Sequence, residues 1–190
     1  MSRELPPTNW VALTVFVAAG YAITFAQGRI TVLREWTGAQ VDLLPGLMVY
    51  AAMAFSGEVV LGCALLFGIF YDSLSANILG TSFTALAVIG LGASRFRELL
   101  LSEQFVTHWV LGVFASAISP LIALGVLNLC GATPLVGFAT IWQWIIMVAG
   151  GGLATPLWFK LFKRLDDASR FKEMPESTFR SDRQIARGRR

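Results

Sequence analysis

The sequence predicts an all-α membrane protein, one compact bundle of about six transmembrane helices, and three observations carry that prediction. Of 190 residues, 55% are hydrophobic and only 14% charged, with a mean hydropathy of +0.64; a water-soluble domain does not have this balance. Six apolar runs follow one another, with most charged residues confined to the breaks between them. The charge is also lopsided, since ten of the fifteen Lys and Arg lie from Lys160 onward.

The elements follow in order. Residues 1–9 form a short N-terminal segment, and the first apolar run, 10–26, is 17 residues long. With Arg3 ahead of it, this run has the outline of a cleavable leader. It exceeds a typical leader core, however, and is read as a retained helix. Along it Ala18, Ala22 and Ala26 recur every fourth residue, a small-residue stripe on which a second helix can approach closely. Packing within the chain and docking of another membrane subunit are both open for this stripe.

The second and third runs, 43–55 and 59–71, are 13 residues each and are separated by Ser56, Gly57 and Glu58. Joined as one helix at about 1.5 Å per residue they would exceed the hydrocarbon core and strand Glu58 near its middle. Two segments with a tight turn are expected instead. Each is short of the roughly 20 residues that cross a bilayer upright, which implies a re-entrant hairpin or polar helix ends held in a shielded interior.

The fourth run is 79–93, the fifth 105–129 with Ala115 and Ser119 one turn apart, and the sixth 135–162. The sixth is long enough to tilt, or to break near Gly150, Gly151, Gly152 and Pro156. Its Trp142, Trp144 and Trp158 suit interfacial anchoring. The bundle is therefore placed at 10–163 and a basic tail at 164–190. Cys63 and Cys130 lie in or beside apolar runs, where a thiol acts as a small hydrophobe.

Six crossings put both ends on one side, with thirteen basic residues there and only Arg29 and Arg34 on the other. The excess of positive charge on that side places both termini in the cytoplasm. Beside a membrane helix the basic tail reads as a topology signal and a contact for anionic lipid. No aromatics interleave with its arginines, so nucleic acid is not the expected partner.

Enzyme constellations are absent from the sequence. His108 is the sole histidine, so no histidine pair can hold a metal, and no HExxH, GxSxG or phosphate-binding glycine loop occurs. His108 is read as structural, no cofactor or metal is expected, and an enzyme is not the expected class. Asp42, Glu58 and Asp72 are more informative, because each sits at the edge of a short apolar run where a charge needs water or a partner. Asp72 precedes Ser73, Ser75, Asn77 and Gly80. It is expected to cap the next helix or to accept bonds from amides of the connecting loop.

Residues 68–86, GIFYDSLSANILGTSFTAL, resemble the MreD family of bacterial rod shape-determining membrane proteins. In that family a glycine-rich apolar helix ends in G-L-x-x-D and is followed by a short loop, a Leu-Gly pair and a leucine-rich helix. Gly68, Asp72, Leu79, Gly80 and Leu86 match, and Ile69 stands where leucine is commoner. Leu44, Pro45 and Tyr50 resemble the family's preceding segment. The resemblance implies a non-enzymatic scaffold of the elongation complex, the elongasome, that binds MreC and acts with RodA, a class B penicillin-binding protein and MreB. Its role there is to support side-wall peptidoglycan synthesis and cell shape.

The family's fold is similar to that of the substrate-binding component of energy-coupling-factor transporters. That similarity supplies the alternative, a vitamin-type small-molecule binding component with Asp42, Glu58 or Asp72 lining a pocket and Ala18, Ala22 and Ala26 docking an energising subunit. The polar residues of the last three runs, Thr81, Ser82, Thr84, Ser116, Ser119, Asn128, Gln143 and Thr155, are few for such a pocket.

Overall fold

The computed structural model describes residues 10–29, 35, 38–75, 77–97, 105–132 and 137–170. Among them are six helices: α1 (Trp10–Arg29), α2 (Leu44–Ala54), α3 (Gly57–Leu74), α4 (Thr81–Arg95), α5 (Phe105–Leu129) and α6 (Phe138–Arg170). There is no sheet among the described residues. The N-terminal segment with Arg3, Arg34, and the tail beyond Arg170 with its expected lipid contact lie outside the described residues.

Four helices, α1, α3, α5 and α6, are long and apolar enough to cross a membrane. Helix α2, with 11 residues, is short as expected and α4 has 15, whereas the expectation of a short third run is corrected, since α3 has 18 residues and is one of the four. The physical reason at α2 is that its first turn lies inside the bundle: Leu44, Pro45, Gly46 and Leu47 are all buried. Pro45 brings no amide donor to that interior. The Leu44 amide donates to Asp42 Oδ1 at 3.0 Å, and Leu47 N–H reaches Leu43 O at 3.2 Å, so the buried helix start has partners for these donors.

At its other end α2 turns through Phe55 and Ser56 directly into α3. Arg97, just past α4, donates through Nε to Ala52 O at 2.9 Å and through Nη2 to Ala52 O and Phe55 O. The last carbonyls of α2 are thereby satisfied, and α2 and α4 end side by side. Burial lowers the Arg97 pKa from its ordinary value through desolvation, and the carbonyl oxygens it faces favour its charged form.

Aromatic rings fill the centre. Phe16 of α1 sits 5.3–5.9 Å from the rings of Tyr50, Phe55, Phe67 and Phe162, and Tyr50 stacks on Phe162 at 4.6 Å. His108 stacks on Phe159 at 3.8 Å, which joins the start of α5 to the second half of α6.

Of the two alternatives for the sixth segment, tilt or break, the break at its glycines is ruled out, since α6 is continuous through Gly150–Gly152 and Pro156. A side chain added at Gly150, Gly151 or Gly152 would overlap Val41, Ser116 or Val113 respectively. The glycines are therefore sites of close helix approach, and neighbouring elements brace the helix at the point where its sequence is weakest. Thr155, fully buried, donates to Gly151 O at 2.9 Å and fits between Gly46 of α2 and Gly112 of α5. The expected edge between bundle and tail, at 163–164, falls inside α6.

Candidate functional site

Two surfaces hold the residues singled out in the sequence. The first is the α3–α4 hairpin. Gly68 of α3 lies against the backbone of Phe83 in α4, where any side chain would overlap Phe83 Cα and N. Such a contact brings two helices closer than side chains normally permit. One turn later Asp72 is 2% exposed. Its Oδ2 accepts the Gly80 amide at 2.8 Å, and both oxygens accept the Ser82 amide at 3.2 Å.

These amides belong to the first turn of α4, whose donors have no partner within the helix. Asp72 supplies that partner from α3 and places its negative charge at the positive end of the α4 dipole. Gly80 has φ +98°, a left-handed conformation costly for residues with a β-carbon, and it thereby turns its amide towards Asp72. Leu86 is buried at 2% exposure, and Leu79 is turned outward at 67%. Gly68, Asp72 and Gly80 thus converge on one joint, Leu86 is buried further along α4, and Leu79 lies apart from it.

The other two carboxylates of the apolar edges go elsewhere. Glu58 is exposed in the first turn of α3, where the helix dipole favours a negative charge. Asp42 holds the start of α2, as described above.

The second surface is α1. Its buried residues are Phe16, Gly20 and Thr24, and Gly20 admits the ring of Phe67. Tyr21 meets Phe70 edge-on at 4.7 Å. This internal stripe runs beside the alanines: Ala18 and Ala22 are exposed and Ala26 is half-buried. The close intramolecular approach along α1 is therefore made at Gly20, which the alanine spacing did not point to.

Ala26 leads into a groove of ≈ 650 Å³ between the C-terminal half of α1, the end of α3 and the middle of α6, bounded across from it by Leu153 and Leu157. Gln27 lines this groove, and neither atom of its side-chain amide has a hydrogen-bond partner. An unpaired amide in an apolar setting costs on the order of 1–3 kcal/mol, which a polar group arriving from outside would recover.

No group of three or more His, Cys, Asp or Glu among the described residues is arranged to hold a metal. Among the described residues, the buried side-chain groups without a hydrogen-bond partner are the Gln27 amide in the groove, the hydroxyls of Thr81 and Ser116, and the Trp158 indole N–H. Sequence reasoning missed Arg97 as the clamp on α2, having read it as a topology charge. Its carbonyl partners lie 42 and 45 residues away, and no local pattern links them.

The family model for rod shape-determining protein MreD matches residues 8–166, a span containing both surfaces and all six helix starts. No curated protein and no solved structure matches the chain.

Proposed function

Because the chain belongs to the MreD family of rod shape-determining proteins, we propose that it is a non-enzymatic membrane scaffold of the rod-shape complex in the bacterial inner membrane, and that it binds the membrane segment of MreC. RodA, a class B penicillin-binding protein and MreB are its further partners in side-wall peptidoglycan synthesis. Both termini face the cytoplasm in this reading. The six-helix arrangement is proposed to share the fold of energy-coupling-factor substrate-binding components.

The observation that supports the reading is the division of labour between the two surfaces. Gly68, Asp72 and Gly80 of the family motif hold the α3–α4 joint together, while α1 offers exposed Ala18 and Ala22 beside a groove that contains the unpartnered Gln27 amide. A transmembrane helix laid along α1 would find small residues for close approach and a polar group for an interhelical hydrogen bond. The hairpin supports this surface from behind, because Phe67 and Phe70 of α3 carry the inward face of α1.

The test is site-specific cross-linking in native membranes from a photoreactive residue at Ala22, with Glu58 as a control on an exposed position of α3. A cross-link to MreC from Ala22 and none from Glu58 supports the reading. Cross-links to MreC from Glu58 alone would place the partner on another face and contradict it.

A further inference from the structure

A separate, half-open cavity of ≈ 250 Å³ lies across Tyr71 from the groove, lined by Asp42, the first turns of α4, the C-terminal half of α5 and the N-terminal half of α6. Its lining mixes polar residues, among them Asp42, Thr81, Ser119 and Gln143, with apolar ones such as Leu86, Leu124 and Met147. The residues the sequence scattered over four segments therefore share one chamber. The space is far larger than a single water requires.

Its polar lining is incomplete. The Thr81 side chain is 2% exposed and its hydroxyl has no hydrogen-bond partner. Asp42 accepts the Leu44 amide with Oδ1, and its Oδ2 accepts no bond among the described residues. No Lys, Arg or His is among the described residues that line the cavity. A carboxylate facing such a chamber inside an apolar bundle is costly unless a cation or a donor joins it. An anionic ligand would meet only repulsion there, whereas a cationic donor would pair with the carboxylate and bond to the idle hydroxyl.

We propose that this cavity binds a protonated primary amine on a short apolar body, with the ammonium between Asp42 and Thr81 and the body against Leu86, Leu124 and Met147. The ammonium group is shared by a free small amine and by the headgroup of phosphatidylethanolamine. The inference is independent of where a partner helix docks.

The test uses the purified full-length protein in detergent, titrated with 2-phenylethylammonium and, in parallel, with neutral 2-phenylethanol and anionic 3-phenylpropanoate, with melting temperature as the readout. The expected result is a saturable rise with the ammonium alone. Asp42→Asn keeps an oxygen for the Leu44 amide and removes the charge. It should weaken binding by about tenfold or more, the size of one charge-assisted hydrogen bond.

Thr81→Val removes a hydroxyl that has no internal partner. It should weaken binding without lowering the ligand-free melting temperature, so it carries the test even if the Asp42 variant folds poorly. Equal responses to the three probes, or unchanged ammonium binding in the folded variants, would overturn the proposal. Repeating the titration in nanodiscs identifies the source. If phosphatidylethanolamine blocks the response and phosphatidylglycerol does not, the natural occupant is the lipid headgroup; if neither blocks it, the occupant is a free amine.

Discussion

The α3–α4 hairpin and α1 are both apolar helical elements, yet they are held in opposite ways. At the hairpin, helix backbones touch at Gly68 and Phe83, and a buried carboxylate ties the first turn of α4 to the last turn of α3. Helix α1 rests on one stripe, Phe16, Gly20 and Thr24, and leaves Trp10, Val11, Val15 and Phe25 exposed. In lipid there is no hydrophobic force between helices, so cohesion has to come from close packing and hydrogen bonds. The hairpin has both, and α1 has packing on one side only. Substitutions in the hairpin should therefore register as loss of fold, and those on the outer face of α1 as loss of association.

The largest effect is expected at Gly68. Leucine there would overlap backbone atoms of Phe83 that cannot move aside, a cost of more than about 3 kcal/mol. Gly68→Leu protein should lose its monodisperse peak in detergent size-exclusion chromatography. A normal peak would mean that the hairpin is looser than α1, which reverses the comparison.

Asp72→Ala comes next. It leaves the Gly80 and Ser82 amides without their acceptor, at about 3 kcal/mol when each of the two bonds is taken at the lower end of the 1.5–3 kcal/mol for a bond to a charged group. Asp72→Asn keeps one acceptor oxygen and should retain part of that stability. Melting temperatures of the two variants, ranked Ala below Asn below the native protein, check this.

Arg97→Leu should cost about 1–2 kcal/mol by releasing the Ala52 and Phe55 carbonyls, with the change confined to α2. Hydrogen exchange at the amides near Ala52 should then rise while those of α3 hold. A smaller effect of the opposite sign is expected at Gly62, also in α3, where an added methyl meets nothing. Gly62→Ala should stabilise by roughly 0.5–1 kcal/mol through helix propensity. If Gly62 and Gly68 responded alike, close approach would not explain the hairpin.

The same contrast sets what could be read in advance. The order of helices was legible because each apolar run ends at charged or turn residues, and Asp72 was legible because its acceptor role is local, eight and ten residues from its amides. Helix ends were less so: α3 runs from Gly57 to Leu74, beyond the apolar run 59–71 at both ends. Glu58 is exposed at its start, and Asp72 finds its partners across the loop, so neither charge stops the helix.

Gly150–Gly152 were misjudged because flexibility and close packing have the same composition, and only Val41, Val113 and Ser116 decide between them. A pocket with Asp42 in its lining was legible only as an alternative, and its other walls were not, for a similar reason. It is assembled from four segments whose few polar residues look sparse when counted along the chain.

The measurement that tests the central claim most directly is made on Ala22→Leu, a change on the exposed face of α1 expected to shift stability by no more than about 0.5 kcal/mol. The variant would be purified from native membranes and both its melting temperature and its co-eluting MreC measured against the native protein. The account predicts an unchanged melting temperature with MreC lost. An unchanged melting temperature with MreC fully retained would contradict it, because the outer face of α1 would then not be where the scaffold meets its partner.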